Sequence, residues 1–405
     1  MFYLGIDIAK SSARYVLLDN DGEKAHKAFT LRNSNDDFEK LLSFLKKFNL
    51  DHQNLLIGIE ATGIWWENIF SFLTQNNFKI VLLNPHQTKK FREALRLKAK
   101  TDDIDAFVIA GLLRSNQFSA SFIPEENIQT LRETTKLRYQ LMQNLKNYER
   151  QVFSLLGLIF PEYEKSPLKN PFSISAISIF KAFPTAKHLA DAKPKQIEKI
   201  VRSIKGNTLN IDRIQELINI AKKSIYSGRA KISRGMNLNI LLAQIQQLFK
   251  SIAQLDSEID SILSPNNDDD LNFPGANLLT IPGVGPKTVA AILSAVGIDG
   301  KTFKSVTQFI GHIGFYPQIY QSGETKRDNK ISKQGPSYLR HALYISAVAC
   351  LRHNPEFKNL YNKKCSQGKK PKQALICVAK KIAELCLSML KSGEVYLPQR
   401  VFMQT

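Results

Sequence analysis

The hydrophobic pattern of the first 120 residues alternates between short apolar runs and amphipathic stretches, which predicts strands alternating with helices. Two of the runs are continuous, as is typical of strands that are covered on both faces. The strand-like segments are residues 2–8, 14–18, 24–31, 55–60 and 79–83. Three strands followed by helix, strand, helix and strand is the order of the ribonuclease-H-like fold. We therefore expect an α/β domain at residues 1–120.

Beyond residue 120 the apolar positions recur every three or four residues, which predicts helices. Stripes at residues 131–155 and 238–262 have the heptad spacing of a coiled coil. Two such helices could pair within one chain or between two chains, and the spacing leaves both pairings open. The expected architecture is α/β followed by all-α: a ribonuclease-H-like domain at 1–120, a helical coiled-coil region at 121–270 and a helical domain at 271–405.

Acidic residues stand where two of the predicted strands end. Asp7 ends the first run and Glu60 ends the fourth. A third acidic cluster opens a helical segment, where a spacing of three puts Asp102 and Asp105 on one helix face and Asp103 on another. Burial makes an unpaired acid at a strand end costly. We therefore interpret Asp7, Glu60, Asp102 and Asp105 as ligands of a divalent metal, and Mg²⁺ suits such oxygen donors.

The charge of the chain indicates what this metal acts on. The formal net charge is +20, and it is unevenly distributed. Residues 1–120 carry 16 Lys and Arg against 14 Asp and Glu, whereas residues 301–405 carry 18 against 5. A basic region beside a nearly neutral domain with an acidic site suggests that one part holds a polyanion and the other cuts it. The alternative is that the charge serves solubility alone.

Two segments of the last third are typical of nucleic-acid-binding loops. Residues 278–292 resemble a helix-hairpin-helix motif, in which glycines permit close approach to a phosphate and a helix start donates amides. Residues 314–335 are polar, basic and rich in glycine between two apolar helices, and such loops often carry reacting groups. From these segments, and from the start of the helix that follows the second one, we predict nucleic-acid contacts at Gly283, Gly285, Lys287, Thr288, Gly323, Lys326, Arg327, Lys330, Lys333 and Arg340.

The cysteines and the apolar runs bear on location. The four cysteines (Cys350, Cys365, Cys377 and Cys386) lack CxxC spacing. We expect them to be free thiols in a reducing cytoplasm, and zinc to be absent. The sequence shows neither a signal-peptide pattern nor an apolar run long enough for a membrane span. We therefore expect a bacterial cytoplasmic protein, associated with the nucleoid and without a membrane partner.

Six motifs, in this order, resemble the IS110 family of insertion-sequence transposases, which includes the pilin-gene invertases. They are Gly5-Ile6-Asp7-Ile8-Ala9-Lys10, Glu60-Ala61-Thr62-Gly63, Lys100-Thr101-Asp102 with Asp105-Ala106, Ile281-Pro282-Gly283-Val284-Gly285, Ser322-Gly323, and Lys333-Gln334-Gly335 with Leu339-Arg340. The resemblance spans most of the chain but leaves residues 161–235 unmatched. Gln334 departs from the Arg or Thr of many relatives.

The resemblance implies an activity and its residues. Family members have a RuvC-like N-terminal domain with a DEDD set of acids, which here is Asp7, Glu60, Asp102 and Asp105, and a two-ion Mg²⁺ site is expected. The resemblance also implies that Ser322 is the nucleophile of a covalent phosphoserine–DNA intermediate, with Ser332 as the competing candidate. Expected partners are donor and target DNA and a noncoding bridge RNA. The predicted coiled coil favours a homo-oligomer, a dimer or a tetramer.

Three rival functions remain open. A RuvC-like junction resolvase would attack with water and would not need the serine loop. An actin-like ATPase would need further glycine-rich phosphate loops, which we do not find in the sequence. A non-catalytic RNA-guided DNA-binding module would not need the acids.

Two tryptophans follow Glu60 closely. Trp65 and Trp66 could stack on a base. We expect core packing for both.

Overall fold

The computed structural model describes residues 1–61, 63–97, 101–118, 120, 125–264, 275–317, 321–322, 325–326 and 331–401. The chain forms two compact units, residues 1–123 and residues 124–405.

The first unit is built on a five-stranded mixed sheet. Its strands are β1 (Phe2–Ile8), β2 (Ser12–Leu18), β3 (Phe29–Arg32), β4 (Leu55–Glu60) and β5 (Lys79–Leu83). They lie in the order β3-β2-β1-β4-β5. β1 is central, because it pairs antiparallel with β2 and parallel with β4. This is the ribonuclease-H-like order that the sequence predicts.

The third strand is shorter than predicted. It begins at Phe29 rather than near Lys24, which makes only an isolated bridge to Leu18. The residues just before β3 do not pair with β2. There His26 packs its ring against Phe44 and Phe48 instead.

Four helices flank this sheet: α1 (Asn35–Lys47), α2 (Trp66–Gln75), α3 (Pro85–Ala94) and α4 (Asp102–Arg114). Helix α1 begins at a Ser34 cap, whose hydroxyl accepts from the Asp37 amide. Helices α3 and α4 are separate elements. Arg96 adopts a positive φ of 54° after α3, and the Thr101 hydroxyl caps α4 by accepting from the Ile104 amide. Helices α1 and α2 cover one face of the sheet and α4 covers the other.

Helix α4 approaches the sheet most closely at Gly5 of β1. A Cβ at Gly5 would lie 2.0 Å from the Ala106 carbonyl oxygen and 2.6 Å from the Ala110 nitrogen, so a larger residue would push the helix away. Gly58, which pairs with Gly5 in the sheet, lies beneath Leu113 of the same helix. The two glycines therefore fix where α4 crosses β1 and β4.

The second unit is helical and is organised around an antiparallel pair of long helices, α5 (Glu126–Ile159) and α10 (Lys231–Ile262). The start of α5 and the end of α10 share one core through Ile128, Leu131 and Ile259. Arg138 forms an ion pair with Asp256 across the pair at 2.5 Å. Of the two pairings that the sequence left open, the structure contains the one within the chain.

The end of this pair that contains the C-terminal half of α5 and the N-terminal half of α10 packs against the segment that the sequence left unassigned. Four helices pack there around a separate core: α6 (Ile174–Ala182), α7 (Ala186–Asp191), α8 (Pro194–Val201) and α9 (Ile211–Lys222). Phe160 and Phe180 are fully buried in it. Residues 161–235 are therefore a helical layer on the pair.

The other end of the pair, where α5 begins and α10 ends, shares its core with the C-terminal helices. The remaining elements of the unit are α11 (Pro286–Val296), α12 (Val306–Ile313), β6 (Gln321–Ser322), β7 (Thr325–Lys326), α13 (Ser337–His353), α14 (Pro355–Ser366) and α15 (Pro371–Ser392). Short 3₁₀ turns occur at Pro161–Lys165, Ala276–Thr280 and Pro398–Val401. Helix α11 is buried along most of its length. Within the described ranges, no helix is both long enough and apolar enough to cross a membrane.

The four cysteines are free thiols, as predicted. Cys350 and Cys386 are buried in the core around α13 and α15. Burial raises the pKa of the Cys350 thiol to about 12 and raises that of Cys386 as well. Both therefore stay neutral and act as small core residues.

Candidate active site

The strand register brings two of the predicted acids to one edge of the sheet. Ile6 of β1 pairs with Ile59 of β4 in parallel register. The next residues along the two strands are Asp7 and Glu60. Both acids therefore lie where two adjacent parallel strands end, and both side chains are half-buried. The prediction that these acids stand at strand ends is confirmed, and the structure adds that the two strands are neighbours.

The first turn of α4 reaches the same edge. Arg14 of β2 is the cross-strand partner of Asp7. The Arg14 guanidinium pairs with Asp103 of α4, and this hydrogen bond lowers the pKa of the Asp103 carboxyl. The turn that also contains Asp102 and Asp105 is thereby held close to β1. Asp103 is directed to β2, in agreement with the prediction that it points away from the other two acids.

Helix α3 contacts two of the four acids. The Thr88 hydroxyl donates a hydrogen bond to Glu60 Oε2 at 2.5 Å. One turn further along, Arg92 forms an ion pair with Asp105, whose side chain is 15% exposed. Sequence reasoning missed both residues, and the only available signal was their spacing of four on a helix that follows a strand.

The structure allows a test of whether these residues suit a metal. Every predicted ligand is a carboxylate, the donor type that Mg²⁺ prefers. Among the residues that the structure describes, no group of three or more His, Cys, Asp or Glu side chains lies close enough together to hold a metal ion. Arg92 supplies positive charge to Asp105 in this arrangement. The donor type and the shared edge suit a divalent cation, but the acids as placed here do not form a closed site, and Asp105 would become a ligand only without its ion pair to Arg92.

The predicted nucleophile belongs to a small hairpin of the second unit. β6 and β7 pair antiparallel, with Ser322 opposite Thr325. Of the predicted contacts in this loop, Gly323, Arg327 and Lys330 lie outside the described residues, and Lys326 is described only by its place in β7. Lys333 is exposed beyond the hairpin, with a positive φ of 54°.

The two ends of this loop are fastened to each other. A Cβ at Gly335 would lie 1.8 Å from the His312 carbonyl oxygen. Arg340 donates to the carbonyl oxygens of Ile313, Gln334 and Gly335 at 2.9–3.2 Å. In this structure Arg340 therefore holds the base of the loop, whereas the sequence predicted a phosphate contact for it.

The helix-hairpin-helix-like segment uses most of its predicted contact residues internally. A Cβ at Gly283 would lie 2.6 Å from the Cys350 amide nitrogen, so the close approach is to α13. Thr288 is buried and its hydroxyl lies 2.7 Å from that of Ser346. Gly285 differs, because a Cβ there would meet nothing within 4 Å. Gly285 is therefore the open position at this helix start.

Lys287 also has partners within the unit. Its ammonium group donates to Asp260 Oδ1 at 2.6 Å and lies 3.5 Å from Asp256 Oδ1, both on α10. The basic residue of the motif thus joins α11 to the long helix pair.

Comparisons with known proteins decide the family. Residues 4–161 match a family model described as a transposase, of the DEDD type of IS110 elements, and residues 275–362 match the model of the transposase IS116/IS110/IS902 family. The chain belongs to the IS110/IS116/IS902 family of transposases. These are enzymes that cut and join DNA.

Relatives of this transposase are similar over nearly the whole chain. It is 24% identical over 399 residues to the pilin gene-inverting protein of Moraxella bovis, with 97% of both chains covered. The corresponding protein of Moraxella lacunata is 23% identical, again over 97% of both chains. An uncharacterized 44.8 kDa protein of insertion element IS116 from Streptomyces clavuligerus is 23% identical over 100% of this chain and 98% of its own.

The two matched segments contain all the predicted catalytic residues of the transposase. The first contains the four acids and the second contains Ser322. The matches support the family resemblance drawn from the motifs, but the role of each residue stays a prediction.

We predict that two lysines of this transposase differ in their effect on DNA binding. Lys333→Gln should lower the slope of log affinity against log salt by about 1, because an exposed lysine at a phosphate releases one counterion. Lys287→Gln should leave the slope unchanged and cost at most about 1 kcal/mol of stability, because Asp260 already occupies its ammonium group. Fluorescence anisotropy with labelled DNA between about 50 and 200 mM salt measures both slopes. If only Lys287→Gln lowered the salt slope, Lys287 rather than Lys333 would be the residue that contacts a phosphate.

Proposed function

We propose that this transposase cuts and rejoins DNA strands at the sheet edge that ends β1 and β4. The observation that carries the proposal is the register of Asp7 beside Glu60, with the first turn of α4 held at the same edge by Arg14. Asp7, Glu60, Asp102 and Asp105 are the residues that would hold two Mg²⁺ ions. When bound, such ions activate an attacking oxygen and stabilise a leaving one during in-line displacement.

Ser322 supplies the attacking oxygen in this proposal. Its hydroxyl oxygen forms a bond to the phosphorus while the bond to one strand end breaks. The serine loses its proton to solvent, and the strand end takes up a proton and leaves as a hydroxyl. The phosphodiester is retained as a phosphoserine link, so attack by another strand's hydroxyl rejoins the DNA without ATP and frees the serine.

Helix α3 acts on the acids in this scheme. The hydrogen bond from Thr88 restricts the Glu60 carboxylate to one orientation. Arg92 keeps the charge of Asp105 compensated until the acid is needed as a ligand. Partners of this kind typically change metal affinity or activity 10–100-fold when they are removed.

The proposed partners are DNA, a noncoding bridge RNA and further copies of the chain. The relatives named as pilin gene-inverting proteins support DNA inversion as one reaction of this type. The excess of 18 basic over 5 acidic residues at 301–405 supports binding of a polyanion. The RNA rests on the family resemblance alone. Exposed apolar residues on α10, namely Ile232, Met236 and Ile240, support self-association.

The test is a search for the covalent intermediate. Wild-type protein is incubated with end-labelled DNA from the element ends, RNA transcribed from the noncoding flank of the element, and Mg²⁺. We expect a labelled protein–DNA adduct on a denaturing gel, and mass spectrometry should place the phosphodiester in the peptide with Ser322. EDTA should prevent adduct formation, and omission of the RNA tests whether RNA guides it. Cut DNA without any adduct would support the rival function, a resolvase that uses water.

A further inference from the structure

An exposed tryptophan lies beside the acidic edge. Trp65 is 38% exposed and its neighbour Ile64 is 62% exposed. Trp66, in contrast, is half-buried, and it packs on the core of the first unit and contacts Phe70 with a ring-centroid distance of 5.8 Å. Core packing was the sequence expectation for both tryptophans, and it is wrong for Trp65. Trp65 and Ile64 together form an exposed apolar surface at the start of α2.

A lysine lies over this indole. The Lys10 ammonium group is 6.0 Å from the centre of the Trp65 ring, within the usual range of a cation–π contact. Lys10 follows Asp7 at the end of β1, and Trp65 follows Glu60 at the end of β4. Because β1 and β4 are adjacent and parallel, the pair lies at the edge that carries the acids.

The loops that present the two side chains are fixed by local contacts. The Asn33 side-chain amide donates to the carbonyl oxygens of Ala9 and Lys10 at 2.7 and 3.1 Å. On the other loop, Gly63 has a positive φ of 64°. A Cβ at Gly63 would lie 3.6 Å from the Trp65 ring, an ordinary contact distance, so the indole lies against this turn.

We propose that Trp65 and Lys10 seat the DNA strand next to the position where it is cut. The indole stacks on an unpaired base, and the ammonium group neutralises an adjoining phosphate. Lys10 thus places a positive charge beside the acids that the strand approaches. The inference rests on the proposed function, in that the seated strand is the one that the acids cleave.

The two tryptophans are the only ones in the chain, which gives a matched pair of probes. Trp66→Phe leaves Trp65 as the sole source of tryptophan fluorescence, and Trp65→Phe leaves Trp66. Unlabelled single-stranded DNA is titrated into each variant in EDTA, so that no cleavage takes place. We expect quenching in Trp66→Phe and none in Trp65→Phe. Acrylamide without DNA should also quench Trp65 more than Trp66, which checks that both variants keep the observed exposure.

The affinity for DNA tests the role of Trp65, and the salt dependence of binding tests that of Lys10. Trp65→Ala should weaken the binding of single-stranded DNA about tenfold. Lys10→Gln should reduce the salt slope by about 1, and Lys10→Arg should restore it. Phe48→Ala is the control, because Phe48 is a similarly exposed aromatic residue in the loop that leads into the start of β4, and it should leave affinity unchanged.

Several outcomes would overturn the proposal. They are equal quenching of both tryptophans, quenching of neither, unchanged DNA affinity in Trp65→Ala, or quenching of Trp65 by RNA of the same sequence but not by DNA. Because the titrations are made in EDTA, their result is independent of the cleavage reaction. If the acids prove not to catalyse cleavage while Trp65 is still quenched by DNA, the proposed function is wrong, but the proposal that Trp65 and Lys10 bind the strand still holds.

Discussion

Asp7→Asn and Asp105→Asn should each reduce Mg²⁺-dependent strand cleavage by roughly 10³-fold or more, while the protein remains folded. Loss of a single preorganised electrostatic group in a catalytic site commonly costs 10²–10³-fold in rate, and a metal ligand also lowers occupancy. Asparagine keeps the shape of the side chain and removes its charge. Gel assays with end-labelled DNA measure the rate, and circular dichroism measures the fold.

The first turn of α4 provides its own control. Asp103 lies between the two predicted ligands in sequence but pairs with Arg14 of β2. Its side chain is 48% exposed, so the pair contributes at most about 1 kcal/mol to stability. Asp103→Asn should therefore keep cleavage within a few-fold of wild type. If Asp103→Asn abolished cleavage and Asp105→Asn did not, the two acids would have to exchange roles.

The arrangement of the acids depends on backbone contacts as much as on the acids themselves. Gly5 lets α4 approach β1 at Ala106, one residue after Asp105. Gly5 itself stands two residues before Asp7. The close approach thus ties the start of the helix to the end of the strand, and the carboxylates of both elements come to one edge. A glycine two residues from a predicted catalytic acid is in this way part of the geometry of the candidate site.

The sequence predicted those features whose physical cause lies within a few neighbouring residues. Continuous apolar runs identify β1 and β4, and Asp7 and Glu60 are the acids at the ends of these runs without further assumption. The helix stripes at 131–155 and 238–262 follow from equally local patterns. The helical spacing alone also predicted that Asp103 lies on a different helix face from Asp102 and Asp105. In the structure Asp103 forms an ion pair with Arg14.

Other features could not be predicted, because they depend on which residues meet across the fold. Thr88 and Arg92 have the spacing of any helix face, and only the position of α3 beside the acids gives them a role. Lys287 is a basic residue in a glycine-rich motif, which is typical of a phosphate contact. Helix α10, however, places Asp260 within reach of its ammonium group. Trp65 precedes the first turn of α2, so no helical period assigns it to a buried or an exposed face.

Ser322→Ala should eliminate the covalent protein–DNA adduct, a loss of roughly 10³-fold or more, because no other atom of that side chain can attack phosphorus. The acids and the exposed basic residues are unchanged, so DNA binding should stay within a few-fold of wild type. The adduct is measured on a denaturing gel with labelled DNA and Mg²⁺, and the binding by anisotropy in EDTA.

Ser332→Ala is the matched control in the same loop. The Ser332 amide donates to the Tyr316 carbonyl oxygen at 3.0 Å, and its hydroxyl accepts from the Gln334 amide at 3.4 Å. Ser332 is therefore held at the base of the loop, whereas Ser322 is the last residue of β6. We expect Ser332→Ala to form the adduct at nearly the wild-type rate. An adduct that persists in Ser322→Ala and is lost in Ser332→Ala would transfer the nucleophile to Ser332, whereas cleavage without an adduct in the wild type would transfer it to water.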